Sequence, residues 1–177
     1  LGMGKLGLMD LPKDTPGKQA CAAVGQCELM YLYDNLFSEY SITVAQLLLT
    51  KYILLEDRRK NVENALERLI SQGVIPVVNE NDTVAIDELE LEMGENDSLA
   101  AVVATIANAD LLIIMSDIDG LYDSDPRQNP DAKMIPVVRE ISEDIHAVAG
   151  GAGTKFGTGG MATKIHAVEI AYESDID

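Results

Sequence analysis

Four short groups of residues have the types and spacing for chemistry. Asn79-Glu80-Asn81-Asp82 follows one apolar run directly, Ser116-Asp117 follows another, Glu95-Asn96-Asp97 opens a helical pattern, and a glycine-rich stretch from Gly150 to Gly160 leads into a last helix. Ligands of open parallel sheets collect at the carboxyl ends of strands, which gives weight to the first two groups. Taken alone, Asn79 to Asp82 reads equally as a turn, and Asn96 and Asp97 read first as caps for free helix amides. The glycine stretch points to an anion. It combines backbone that a ligand can approach closely, a helix N-terminus with free N–H groups, and nearby lysines.

Charge distribution supports a phosphate guest. Acids number 30 in 177 residues, yet none occurs between Ile145 and Val168, a window holding Lys155, Lys164, His146 and His166. A flexible linker is the plain alternative, although linkers seldom run straight into an amphipathic helix with a lysine one turn in. Other phosphate motifs are absent. Gly4-Lys5 and Gly17-Lys18 lack the hydroxyl residue of a P-loop, and Gly151-Ala152-Gly153 is followed by Phe156 where a dinucleotide fingerprint needs glycine. Neither histidine has a partner at metal-ligand spacing, and Ser116 lacks the glycines of a nucleophile elbow.

The elements that must position these groups follow from hydrophobic period. Leu29, Leu32, Tyr33 and Leu36 mark a helix over Lys18 to Tyr40, with Pro16-Gly17 as a breaker pair before it. Ile42 to Thr50 reads as a buried strand, and Val62, Leu66, Leu69 and Ile70 predict a helix over Asn61 to Gln72 that Gly73 stops. Val74 to Val78 is a short strand. Alternation at Val84/Ile86 and Leu89/Leu91/Met93 predicts a hairpin or edge strand. A helix begins near Ser98 with Leu99, Val102, Val103 and Ile106 on one stripe, and Leu111 to Met115 is a fully apolar strand. Turns from Gly120 to Lys133 precede a strand at Met134 to Val138, a short helix at Ser142 to Val148, and a last helix with Met161, Ile165, Val168 and Tyr172 on one side. Strands alternating with helices predict an α/β sandwich around a mostly parallel sheet.

The formal charge of −17 argues against nucleic acid and anionic membrane surfaces as partners. No apolar run approaches the roughly 18 to 20 residues that a membrane helix needs. The chain therefore reads as soluble. Cys21 and Cys27, six apart on a helix, point to different faces and cannot bond to each other, which fits a reducing, cytoplasmic setting.

Five blocks together resemble the glutamate 5-kinase family of the amino acid kinase superfamily. They are Val74 to Asp82, Gly94-Glu95-Asn96-Asp97, Asp110 to Tyr122, Asp125-Pro126-Arg127-Gln128-Asn129-Pro130, and Gly157 to Lys164, in order and at similar spacing through the whole chain. The resemblance implies a single three-layer α/β/α amino acid kinase domain over residues 1–177, without an RNA-binding-type domain after it. It implies ATP-dependent phosphorylation of the γ-carboxylate of L-glutamate, the first step toward proline, in a homo-oligomer open to feedback by proline. Asn79, Asp82 and Asn96 would hold glutamate. Ser116, Asp117, Thr158, Gly159, Gly160, Met161, Ala162, Thr163 and Lys164 would bind ATP, with Mg²⁺ arriving on the nucleotide and no protein ligands assigned to it. Asp97 would organise the site, and Lys164 would neutralise charge on the phosphoryl group in flight. Two alternatives stay open: another amino acid kinase, acting on aspartate, N-acetylglutamate, carbamate or a nucleoside monophosphate, and a non-catalytic nucleotide-binding module.

Family members open with a lysine-bearing strand and Gly-Ser turn, then a strand ending in Ser-Ser-Gly, both ahead of the position of Leu1. The expectation is that residues 1–177 alone fold imperfectly and turn over slowly. Equal turnover with and without an N-terminal extension would overturn it.

Overall fold

Six helices and one parallel pair of strands form among residues 1–84, 96–149 and 160–177, the residues that the computed structural model describes. They belong to two units, Leu1–Leu91 and Glu92–Asp177. In the first, helix α1 (Gly2–Lys5) lies on helix α2 (Thr15–Ser38). Gly2 is buried against the Cys21 carbonyl, where any Cβ would collide. Lys5 Nζ reaches Glu28 Oε2 at 2.7 Å. The Asp14 carboxylate starts α2 by accepting from Gly17 N–H at 3.0 Å. Pro16-Gly17 therefore lies inside the first turn rather than ahead of the helix, because a first-turn proline gives up only an amide that has no helical partner.

Strand β1 (Val44–Leu49) continues through a 3-10 turn (Lys51–Leu54) and helix α3 (Glu56–Ser71) to strand β2 (Ile75–Glu80), which pairs parallel to β1. Register runs from Val44 opposite Ile75 to Leu49 opposite Glu80. Asn81 N–H carries the ladder one step further to Leu49 O at 2.7 Å. Helix α3 begins five residues before the expected Asn61, since Glu56 and Asp57 in its first turn complement the positive end of the helix. Leu66, 2 % exposed, anchors its inner face.

The second unit is built on helices α4 (Asn96–Ile106), α5 (Glu143–Ala149) and α6 (Met161–Tyr172). Helices α4 and α6 run side by side in the same direction: Asp97 meets Lys164 near their starts, and Thr105 Oγ1 in the last turn of α4 meets Ser174 Oγ just past α6 at 3.1 Å. Between these contacts Ala101, Ala104, Ala167 and Ala171 are all buried, together with Leu99, Ile106 and Ile165. Ile176, Ala109 and Leu112 complete this core.

Several expectations need correction. Leu111 to Met115 is not a strand. Its burial alternates as in one, but among the described residues it is tied by one bond, Leu112 N–H to Asp177 O at 2.7 Å, beside Asp177 N–H to Asp110 O, rather than by a ladder. Met134 to Val138 is likewise reduced to one antiparallel bridge, Tyr122 to Met134. On α6 the apolar side is divided, with Ile165 buried and Val168 and Tyr172 exposed. The alternation at residues 84–93 and the glycine stretch lie, apart from Val84 and Gly160, outside the described residues. The architecture is α/β, with a two-stranded parallel sheet among the described residues. No helix among them is long and apolar enough to cross a membrane.

Five helices end in the same way. At α3, Gly73 N–H bonds Ile70 O at 2.9 Å and Val74 N–H bonds Leu69 O at 3.0 Å, the two bonds of a Schellman motif with Gly73 left-handed at φ +72°. The same pair of bonds closes α1, α2, α4 and α6 around Gly7, Ser41, Asn108 and Asp175. Ser41 at φ +59° and Asp175 at φ +57° carry a steric cost that glycine avoids. Gly73→Ala should therefore destabilise by about 1 kcal/mol, while Ser41→Gly should be neutral or stabilising by a few tenths. Denaturant midpoints at constant m-value read both, and the same sign for the two would contradict the strain account.

Candidate active site

The parallel run of α4 and α6 brings two helix N-termini to one place. Asp97 lies in the first turn of α4 and Lys164 in the first turn of α6, with Lys164 Nζ 2.8 Å from Asp97 Oδ2. Their side chains are 19 % and 21 % exposed, so the pair is screened less than a surface ion pair. The Thr163 hydroxyl donates to Gly160 O at 2.8 Å and lies 3.4 Å from the same Asp97 oxygen. Gly160 at the N-cap of α6 has no side chain to offer the first amides, which suits them to an anion.

Lys164 also lines a cleft of about 310 Å³. Ile114, Ile118 and Val138 form part of its wall, and Met161, Ile165 and Val168 bring in one face of α6. The apolar side read from the sequence thus lines a cavity, with Ile165 buried in its wall. Ser116 stands at this cleft, and Asp117 beside it pairs with Arg127, Nη2 to Oδ2 at 3.0 Å. Arg127 is held by a network of short polar links. Asp125 Oδ1 accepts from Arg127 N–H at 2.9 Å and Asp125 Oδ2 from Gln128 Nε2 at 2.9 Å, while Asp123 Oδ1 accepts from Lys133 N–H at 2.9 Å. Tyr122 Oη donates to Asp119 at 2.9 Å, and that bond to a carboxylate holds the phenol above its ordinary pKa.

In the first unit, Asn79 occupies the carboxyl end of β2 and is half-buried. Its Oδ1 accepts from Glu80 N–H at 3.0 Å and its Nδ2 donates to Gln26 Oε1 at 2.9 Å. Asp82 is exposed in the turn that follows, closed by Val84 N–H on Asn81 O at 3.0 Å. Of the remaining expected residues, Asn96 is exposed as the first residue of α4, Ala162 is exposed on α6, and Met161 faces the cleft. Thr158 and Gly159 lie outside the described residues. Among the described residues no three acidic, histidine or cysteine side chains form a metal-binding group. Glu169 links His146 Nε2 at 3.0 Å and His166 Nδ1 at 3.5 Å, an arrangement of a single carboxylate between two rings. Arg127 was given no role by the sequence alone, although it lies within the Asp125 to Pro130 block.

A lysine and two helix N-termini beside an apolar cleft suit a ligand with an anionic part and an apolar part. Residues 4–177 match the family model described as "Amino acid kinase family", and the chain belongs to that family. It is similar to proteins named glutamate 5-kinase. That of Clostridium perfringens is 53% identical over all of this chain and 67% of its own length. Those of Caldanaerobacter subterraneus subsp. tengcongensis and Listeria monocytogenes are 54% and 49% identical over 99% of this chain, covering 47% and 64% of their own lengths. The chain thus spans about half to two thirds of the length of these relatives.

The Asp97–Lys164 pair predicts unequal costs for its two truncations. Lys164→Ala leaves Asp97 at the N-terminus of α4, where a carboxylate is already favoured, and should cost about 1 kcal/mol of stability. Asp97→Ala leaves an ammonium between two positive helix ends and should cost about 1 kcal/mol more. Thermal or denaturant unfolding of the two variants tests the order, and a larger loss for Lys164→Ala would contradict it.

Proposed function

We propose that this chain carries the catalytic part of a glutamate 5-kinase, transferring the γ-phosphoryl group of ATP to the γ-carboxylate of L-glutamate. The observation that carries the reading is Lys164. It lines the apolar cleft and is held at 2.8 Å by Asp97 where two helix N-termini meet. The names and identities of the relatives support it further.

In this reading adenine and ribose occupy the cleft beside Ser116, and the polyphosphate lies over the first turn of α6. Phosphoryl transfer asks little covalent chemistry of a protein; it asks for in-line placement and positive charge around the moving oxygens. The amides after Gly160 and the Lys164 ammonium supply that charge, and Asp97 keeps the ammonium from swinging out. Mg²⁺ arrives on the phosphates, which it prefers to a dedicated protein cage, and adds charge neutralisation when bound. Asn79 and Asn96 offer amide N–H groups to the glutamate carboxylates, and Asp82 pairs with its α-ammonium. Arg127 holds Asp117 at the edge of the nucleotide site. The product, glutamyl 5-phosphate, is a step toward proline, with proline as feedback inhibitor of a cytoplasmic homo-oligomer. The full domain is a three-layer sandwich in which the paired strands are part of a larger parallel sheet.

The test is a panel of acceptors with ATP and Mg²⁺, trapping acyl phosphate as hydroxamate. Glutamate should be the preferred acceptor, and phosphorylation of aspartate but not glutamate would overturn the assignment. Lys164→Ala should lower kcat by about 10²-fold or more, because the charge it removes is felt mostly in the transition state. Asp82→Ala should act on the KM for glutamate, and a change confined to the KM for ATP would contradict its role.

A further inference from the structure

We infer that Gln26 is a positioning residue for the acceptor substrate, acting through Asn79; the inference rests on the glutamate-binding role proposed for Asn79. A primary amide has two ends of similar shape and opposite hydrogen-bonding sense, so an asparagine that must donate to a carboxylate is useful only if its flip is decided. Here both ends are decided. Asn79 Oδ1 accepts from Glu80 N–H at 3.0 Å, and Asn79 Nδ2 donates to Gln26 Oε1 at 2.9 Å. Gln26 in turn lies with its Nε2 3.4 Å from Gln46 Oε1. The three side chains form a directional line in which each amide donates to the next, from the end of β2 through α2 to β1. One N–H of Asn79 is used by neither bond, and it is the group that can donate to a substrate carboxylate.

The opposite flip of Asn79 would set its oxygen against Gln26 Oε1 and its NH₂ against the Glu80 N–H, two repulsions in place of two bonds. It would also present an acceptor to an anionic substrate. The Glu80 N–H, which can only donate, fixes the Asn79 oxygen, and Gln26 Oε1 holds the Nδ2 end in that orientation. Gln26 lies 53 positions from Asn79 in the chain and half-buried on α2, where its bonding partner is a side chain rather than helix backbone.

The experiment uses the full protein and steady-state kinetics in both substrates. Gln26→Leu keeps the length of the side chain but removes the acceptor, and should raise the KM for glutamate about tenfold, the effect of one hydrogen bond to a partly buried group. The KM for ATP and the thermal midpoint should stay close to those of the parent. Gln26→Glu retains an acceptor for Asn79 Nδ2, while Gln46 can turn its own amide to donate, so the KM for glutamate should return to within about threefold of the parent. Because Gln26 acts through Asn79, Gln26→Leu combined with Asn79→Ala should bind glutamate no worse than Asn79→Ala alone. An additive double variant, an unchanged KM for glutamate in Gln26→Leu, or an equal rise in both KM values would overturn the inference while leaving the kinase reading in place. A parent protein that consumes no ATP with glutamate would overturn both.

Discussion

The close parallel packing of α4 on α6 is the constraint on which the second unit depends. Helices approach closely where the residues between them are small, and here Ala104 and Ala171 share one buried cluster while Ala101 and Ala167 are buried on the same two helices. Parallel helices that close pay an electrostatic cost, because each N-terminus carries about half a positive charge and the two ends lie together. Asp97 relieves that repulsion from within the first turn of α4, and Lys164 is drawn in by Asp97 in turn. Packing, capping and placement of the candidate catalytic cation are therefore one arrangement. A larger residue at any of the four alanines would separate the helix starts as well as open the core.

The same packing explains the cleft. A helix of twelve residues has two long faces, and while Ala167 and Ala171 are buried, Met161, Ile165 and Val168 line the cavity wall. An apolar helix face beside a cleft is suited to a planar base, and free amides at its N-terminus are suited to an anion. The opposite wall is held by local acid chemistry. Asp119, Asp123 and Asp125 each accept a hydrogen bond from a neighbour in the loop, which leaves Arg127 facing Asp117 ten residues earlier.

Legibility from sequence followed the range of the forces involved. The strands β1 and β2 and every helix but the four-residue α1 were readable, because hydrophobic period and capping residues act within a few positions. Helix α3 was mistaken at its start for want of weight on Glu56 and Asp57. Leu111 to Met115 has a strand's composition, but a strand is completed by a neighbour, and composition cannot supply one. On α6 the larger apolar residues drew attention away from the buried Ala167 and Ala171. Asp97 and Lys164 were singled out by spacing and charge and given roles by resemblance to a family, whereas Arg127 and Gln26 escaped. Their contacts join side chains 10 and 53 positions apart, and nothing in the local pattern of either residue announces a partner.

A formal charge of −17 would seem to exclude substrates that are themselves anions. At physiological ionic strength the Debye length is about 8 Å, so an exposed carboxylate farther away than that contributes little to the potential at a bound phosphate. Many acids are also engaged locally. Asp14 caps α2, Glu56 and Asp57 sit at the start of α3, and Asp123 and Asp125 close turns. What a phosphate meets at the first turn of α6 is governed by the nearest charges: Lys164, two helix ends, and one carboxylate already committed to the lysine. The absence of Asp and Glu from Ile145 to Val168 extends this condition along the chain on either side of that turn. The sum of charges thus bears on partners as large as nucleic acid, which sample the whole surface, while the potential at a small anion is set by the charges within a few ångströms of it.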